Sequence, residues 1–268
     1  MELDVRQPLV LPPGESDKAL LDELFAAEFG TAGVDVAPHE HRLHTDAFYV
    51  LDGEFTFFVA GEPTTLGAGA FALAPPGLVH NFVSSDARVL NLHAPGDRWK
   101  QTRIARREGR RGTPDEIDQH PPPPDGGLPR SESIVRLAGQ GELLEDDDRR
   151  LWVLAARPEL CVFLFDADPG YVGPSTHVHR QHVDAFYVLE GALAFELDGE
   201  PVDAPAGTWV AATPGCAHTF RNAREERVRF LNVHAPGLRF DEYLRRQAGG
   251  EDGRPFHESF DVYEMEVA

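Results

Sequence analysis

Residues His39 to Gly53 read HEHRLHTDAFYVLDG, and nearly the same string, HVHRQHVDAFYVLEG, returns from His177 to Gly191. A displacement of 138 residues carries His39, His41, His44, Asp46, Gly53, Gly69, Gly77 and His80 onto His177, His179, His182, Asp184, Gly191, Gly207, Gly215 and His218 without a gap. About half of the positions from the first of these histidines to the last are identical. A period that long is a whole domain and not a solenoid unit, so the chain is one design used twice. Its 268 residues suit two domains, each large enough to bury a core without disulfide or metal staples.

Composition removes several classes of function. The formal charge of -20 repels a phosphate backbone or an anionic bilayer over the whole surface, so neither nucleic acid nor membrane is an expected partner. Cys161 and Cys216 fall at unmatched places in the repeat, which supports no disulfide framework and no cysteine-based zinc site. The opening MELDVRQPLV lacks a basic region followed by an apolar core, and no apolar run reaches the length of a membrane span. A cytoplasmic location with reduced thiols is the expectation. No Gly-rich phosphate loop, G-x-S-x-G elbow or C-x-x-C pair is present.

The apolar runs predict short strands joined by tight turns. AFYVL is bounded by Asp46 and Asp52-Gly53, EFTFFVA ends at Gly61-Glu62-Pro63, and AFALA ends at Pro75-Pro76-Gly77. The second copy repeats the scheme, with three extra residues before its last strand. Upstream, Leu20, Leu21, Leu24, Phe25 and Phe29 fit a helical face behind a Ser16-Asp17 cap. The matching stretch of the second copy reads as two strands, and that analogy favours a strand for LFAAEF. Phe48, Tyr49, Phe57, Phe71, Phe186, Tyr187, Phe195 and Trp209 are expected mostly in the core.

Between the copies, Asp97 to Glu108 is expected to form a short helix, and four consecutive prolines keep the stretch from His120 to Pro129 extended. The division expected is therefore 1–120 for a first domain with a trailing helix, 121–130 for a linker, and 131–268 for a second domain with its own helix and tail. Arg98, Lys100, Arg103, Arg106, Arg107, Arg110 and Arg111 make the one basic cluster. A solvated helix face paired with acidic neighbours explains it more simply than an anion site.

Ten of the twelve histidines fall into repeat-matched pairs. His39 and His41, like His177 and His179, are two residues apart, so on an extended chain each pair projects from one face and can chelate one ion. His80 and His218 come from a later strand, and Asp46 and Asp184 add a carboxylate. Three neutral imidazoles and one oxygen suit Fe(II), Mn(II), Co(II), Ni(II) or Zn(II) and leave coordination positions open. His44 and His182 could be alternative ligands or donors to a ligand, but read more simply as rim histidines on a turn, and His93 and His234 read as satisfied histidines ending a strand, with a pocket role only if they face inward. Cys216 reads as small buried packing.

These residues carry a resemblance to the bicupins of the cupin superfamily. The cupin pattern is H-x-H, then after three or four intervening residues a Glu and after six more a Gly, followed by G-x5-P-x-G-x2-H-x3-N. His39, His41, Asp46, Gly53, Gly69, Pro75, Gly77 and His80 match it in the first copy, and His177, His179, Asp184, Gly191, Gly207, Gly215, His218 and Asn222 in the second. Asp stands at both Glu positions, Thr213 replaces a Pro, and Ser84 replaces the Asn. The resemblance implies an all-β fold, two cupin jelly-roll barrels in tandem as an internal pseudo-dimer, with short helices after each. It implies metal ligation by His39, His41, Asp46 and His80 and by His177, His179, Asp184 and His218, with Fe(II) first among the ions.

Asp is a methylene shorter than Glu, which leaves three roles open for Asp46 and Asp184: a ligand, a group orienting a ligating histidine, or a base accepting a substrate proton. Similarity to the quercetin-dioxygenase-like bicupins implies a dioxygenase that takes O2 and a small enolic or phenolic substrate. A non-oxidative decarboxylase, isomerase or lyase, or a non-catalytic ligand-binding bicupin, would use the same barrels. A homo-oligomer is compatible with each.

Overall fold

The structure, a computed structural model, describes residues 7–15, 19–31, 33–110, 112–251 and 256–265. Its strands pair antiparallel, and it divides into two compact units, Asp17–Gln140 and Gly141–Ala268 together with Met1–Ser16. Each unit is a jelly-roll barrel, the fold that the resemblance implies. The expected cap Ser16-Asp17 lies outside the described residues. Phe25–Gly30 is a strand, paired with His93 back to Arg88. Among the described residues no helix is long and apolar enough to cross a membrane.

In the first barrel two strands of 15 residues, Thr45–Val59 and His80–Ala94, form the spine. The expected turn at Asp52-Gly53 is not one. The strand runs through it with bulges between Val50 and Asp52 and between Glu54 and Thr56, which bend the sheet around the core. Gly53 has φ 75, and a Cβ there would stand 2.0 Å from the Asp86 carbonyl oxygen, so the bend needs glycine twice over. Phe25–Gly30 and Val34–Asp35 pair with the second spine strand, and Glu62–Gly67 and Phe71–Ala74 with the first. Phe48, Phe55, Phe57, Phe82, Val50 and Val89 alternate inward and fill the barrel.

In the second barrel the same design forms two sheets, with Gly191 between Val183–Glu190 and Ala192–Leu197. One sheet centres on Val183–Glu190, flanked by Trp209–Ala212 and Val228–Ala235, and the other on Ala192–Leu197 and His218–Arg221. Each barrel also takes a short strand from across the expected boundaries. Leu9–Leu11 pairs with Trp209–Ala212 of the second barrel, and Ile134–Arg136 with Phe71–Ala74 of the first. A division at 120 and 131 leaves both strands on the other side of the line, because edge pairing is made by backbone groups and carries little side-chain signature.

A helix follows each barrel, Asp97–Arg107 and Phe240–Ala248. A one-turn helix comes next, Pro114–Ile117 in the first unit and the 3-10 turn His257–Phe260 in the second. The chain then returns to the barrel mouth. His120 bridges Glu40 there, and Tyr263–Glu264 pairs with Val178 and His177.

Candidate metal centres

Strand register assembles both expected quartets. His39 pairs across an antiparallel bridge with His80, and His177 with His218. Asp46 lies opposite His93 and Asp184 opposite His234, so Asp46, Phe48, Asn91 and His93 share one inward face. The donor atoms of His39, His41, Asp46 and His80 all lie within 4.8 Å of one another, as do those of His177, His179, Asp184 and His218. All eight side chains are buried.

Every histidine of the two quartets has one ring nitrogen committed to a main-chain carbonyl. His39 Nδ1 meets Ala37 O at 2.9 Å, His41 Nδ1 meets Asp118 O at 2.6 Å, and His80 Nδ1 meets Leu78 O at 2.9 Å. His177, His179 and His218 repeat this on Ser175, Asp261 and Cys216, at 2.8, 2.7 and 3.0 Å. A carbonyl only accepts, so Nδ1 carries the proton and Nε2 is left as a lone pair. That is the tautomer a metal-binding histidine needs.

The lone pairs converge on the carboxylate oxygen Oδ2. His80 Nε2 is 3.3 Å and His41 Nε2 3.6 Å from Asp46 Oδ2, and in the second barrel His218 Nε2 is 3.2 Å and His179 Nε2 3.7 Å from Asp184 Oδ2. Two donors bound at about 2.1 Å to one tetrahedral or octahedral ion stand roughly 3.0 to 3.4 Å apart. Two of the four distances fall in that span and two lie 0.2 to 0.3 Å beyond it, so each carboxylate stands close to a ligand's distance despite its short side chain, near the start of its strand. His41 Nε2 and His179 Nε2 are buried without a hydrogen-bond partner, a costly arrangement that a bound ion would relieve. The donor set fits a divalent transition ion.

The opposite carboxylate oxygen is held from behind. Asn91 donates to Asp46 Oδ1 at 2.6 Å, and its own carbonyl oxygen accepts from His93 Nε2 at 2.8 Å. Asn232, Asp184 and His234 repeat the arrangement at 2.5 and 2.9 Å. Burial alone would raise both aspartates, but the surrounding imidazoles, His93, His41 and His80 or His234, His179 and His218, hold them well below the usual carboxylate range. Burial lowers His39 to about 4 and keeps His177 well below its ordinary value, so neither must shed a proton to bind an ion at neutral pH.

Three readings made from sequence change here. His44 and His182 are not rim histidines: both are fully buried and touch Asp118 Oδ2 and Asp261 Oδ2 through Nδ1, at 2.8 and 2.9 Å. His93 and His234 end their strands as expected but sit behind the aspartates, stacked under Trp99 and Phe240 at ring separations of 4.3 and 3.6 Å. In the basic cluster, Lys100 pairs with Asp22 and Arg110 with Glu108, as solvated groups should, yet Arg103 on the helix lines the cavity above His39 and His41. The Cys216 thiol is buried and pushed up to about 12, consistent with packing.

Above each centre lies a cavity. In the first barrel it measures about 500 Å³, with Phe25, Phe29, Phe82 and Trp99 on the walls, Arg103 and Gln119 among the polar groups, and His39, His41 and Asp46 on the lining. In the second it is about 160 Å³, narrowed by Phe165, Phe240, Leu244 and Val262, with Arg149, Tyr171 and Gln247 beside His177 and Asp184. Sequence reasoning did not identify Asn91, Asn232, Asp118, Asp261, Trp99 or Phe240. Each recurs in outline in the second copy, but beyond the ungapped block where matching is immediate.

Comparison with known proteins agrees with this architecture. A cupin-domain family model matches twice, at residues 27–93 and 163–234, which together span just over half of the chain. Quercetin 2,3-dioxygenase from Bacillus subtilis (strain 168) is 22% identical, over 81% of this chain and 74% of that enzyme. Among solved structures, a single-site variant of oxalate decarboxylase from Bacillus subtilis aligns with a TM-score of 0.56 at 18% identity, over 80% of this chain and 69% of that chain. Oxalate decarboxylase from the same organism at pH 4.6 aligns with a TM-score of 0.56 at 17% identity, over 85% and 71%. A further structure of that decarboxylase, concerned with its Mn(II) centres, gives 0.55 at 17%, over 80% and 69%. At such identities the structural likeness speaks for the fold.

Proposed function

The chain belongs to the cupin family, and on that premise we propose that it is a metal-dependent enzyme whose first barrel is an oxygenase site for a small enolic or phenolic substrate. The observation that carries this is the cavity of about 500 Å³ in which aromatic walls meet the ligand histidines. That volume accommodates a ring system, and the walls offer it ring-to-ring contact while excluding water. The similarity to quercetin 2,3-dioxygenase supports the same class.

His39, His41, His80 and Asp46 would hold the ion in the first barrel, and His177, His179, His218 and Asp184 in the second. A divalent transition ion there supplies a Lewis acid for an anionic oxygen and, when redox-active such as Fe(II) or Mn(II), a means of engaging O2. Asp46 contributes a carboxylate that stays ionised. Its depressed pKa speaks for a ligand role over a base, since a base works best near the ambient pH. Phe25, Phe29, Phe82 and Trp99 would clamp the ring, and Arg103 and Gln119 would offer donors to its oxygen substituents.

A non-oxidative decarboxylase, isomerase or lyase is the second reading, and the second barrel is the observation that favours it. A pocket of about 160 Å³, with the Arg149 guanidinium at its wall between Asp146 and the Tyr171 hydroxyl, suits a small substrate better than a ring. O2 uptake over a panel of phenolic and enolic compounds, with CO2 release from small oxo and dicarboxylic acids in parallel, tests both. Substrate-dependent O2 uptake abolished under anaerobic conditions supports the oxygenase. O2-independent CO2 release supports the second reading, and no turnover by metal-loaded protein rejects both in favour of a ligand-binding role.

A further inference from the structure

Asp118 and Asp261 stand after the barrels, on the segments that return to their mouths, yet they do the same work in each. The Asp118 carbonyl oxygen accepts from His41 Nδ1 at 2.6 Å. Its carboxylate accepts from the main-chain N–H of Arg42 at 3.0 Å and of Leu43 at 2.8 Å, and Oδ2 lies 2.8 Å from His44 Nδ1. Asp261 repeats every contact: its carbonyl on His179 Nδ1 at 2.7 Å, its carboxylate on the N–H groups of Arg180 and Gln181 at 3.1 and 2.8 Å, and Oδ2 on His182 Nδ1 at 2.9 Å. One residue thus holds a histidine of the quartet, the two residues after it and the buried ring packed beside it. The His41 and His44 ring centroids are 4.1 Å apart, and those of His179 and His182 3.9 Å.

The backbone at these positions is informative. Asp118 closes the helix Pro114–Ile117, and Asp261 the 3-10 turn His257–Phe260, both in the left-handed conformation at φ 48 and φ 62. Glycine or asparagine is the usual residue there, because a larger side chain is strained. A buried aspartate is accepted at both places, and in both the carboxylate meets two main-chain N–H groups and an imidazole. A capping role alone accounts for the left-handed turn but not for the carboxylate or the carbonyl on the ligand ring.

We infer that Asp118 and Asp261 are positioning residues that hold His41 and His179 in the ligand orientation, so that each metal centre is complete only while its post-barrel segment is docked. The inference rests on the reading of His41 and His179 as metal ligands. Groups that receive the second ring nitrogen of a ligating histidine fix its tautomer and its angle, and their loss lowers affinity about 10- to 100-fold. By linkage, what docking contributes to metal binding, metal binding returns to docking.

Co(II) is a suitable probe, because its visible spectrum reports ligand number and geometry. Full-length protein, stripped and then titrated with Co(II), should bind two ions per chain; failure of the wild-type protein to bind would overturn the ligand reading itself. Given binding, Asp118→Asn and Asp118→Gly should each weaken one site at least about 10-fold and change its visible spectrum, while the other site keeps wild-type affinity. Asp261→Asn should do the mirror image. Both substitutions tolerate the left-handed turn. Wild-type affinity and spectrum in variants that are merely less heat-stable would overturn the inference. A measurement that needs no variant is amide exchange in the wild-type chain. Co(II) should slow exchange at Arg42, Leu43, Arg180 and Gln181 more than within Glu62–Gly67 and Glu200–Pro205, and equal slowing everywhere would equally overturn it.

Discussion

Asp46 Oδ2 lies 3.3 Å from His80 Nε2 and 3.6 Å from His41 Nε2, and Asp184 Oδ2 lies 3.2 and 3.7 Å from the matched atoms of the second barrel. The cavities above these centres measure about 500 and 160 Å³. Beyond the three-residue insertion the copies align at a displacement of 141 and, in the tail, 143, which sets Trp99 against Phe240, Arg103 against Leu244, and Gln119 against Val262. Earlier in the chain Ala27 faces Phe165. All eight residues line their cavities. The donor shell has been kept to within a few tenths of an ångström, while the wall has exchanged polar for apolar groups and an alanine for a ring. Binding an ion tolerates few arrangements, whereas a substrate wall is free to diverge once only one barrel needs it.

The strongest way to break this comparison is to remove one centre at a time. His41→Ala should abolish one bound ion and lower turnover of a ring substrate by more than about 100-fold, beyond what loss of an outer partner does. His179→Ala should remove the other ion and leave that turnover within a few-fold. Metal content by mass spectrometry and steady-state kinetics check both, and equal loss of activity in the two variants would show that the barrels do not divide the work.

The exchange of Ala27 for Phe165 can be reversed. Ala27→Phe should narrow the first cavity and lower kcat/KM for ring substrates about 10-fold or more, the scale on which a pocket discriminates by size. Phe165→Ala should open the second cavity and let it bind ring compounds that the wild-type pocket excludes. It should also cost about 3 to 5 kcal/mol of stability, since Phe165 is buried and stacked on Phe230 at 4.9 Å. Calorimetry of ligand binding and of unfolding separates the two effects.

Arg103→Leu gives the first wall the residue of the second. The expected loss is about 10-fold in kcat/KM for anionic ring substrates, the worth of one charged hydrogen bond, and little for neutral analogues of the same shape. A neutral substrate equally affected would mean that Arg103 supports the wall and not the ligand.

The donor shell was legible because its residues are few in kind, lie close in sequence and recur at one displacement. His39 and His41 alternate on a strand, and His80 follows at the end of an ungapped block, so spacing alone brought them together. The long strand through Gly53 was not legible. A glycine after an acid reads as a turn unless the neighbouring strand is known, and here Asp86 presses on it from 33 residues away. Asn91 and Asn232 sit in plain view in LNLHAPG and LNVHAPG, but their function depends on facing the aspartates across the sheet. Asp118 and Asp261 were further out of reach. The tails IDQH and FDVY share only the aspartate, and the contact each makes closes a loop of about 80 residues. His44 and His182 were misplaced because the partners that bury them come from those same tails.

Acid should act on the tails before it acts on the cores. Burial opposes ionisation of Asp261, but the His182 contact and the N–H groups of Arg180 and Gln181 lower it to about 2, and Asp118 is likewise depressed by His44, Arg42 and Leu43. A carboxylate depressed in the folded state contributes stability that is complete above its unfolded pKa and is lost as the pH falls through the folded one. For Asp261 that window runs from about 4 down to about 2, and the contribution is on the order of 2 kcal/mol. Ion-free protein titrated from pH 5 to pH 2 should therefore lose protection at Arg180 and Gln181 while Val183–Glu190 remains protected. Asp261→Asn should shrink this step to the part that His182 contributes, since the substituted side chain does not titrate while burial lowers His182 to about 4. Simultaneous loss across the second barrel would mean that tail and core unfold as one unit, and that the segment holding His179 has no docking equilibrium of its own.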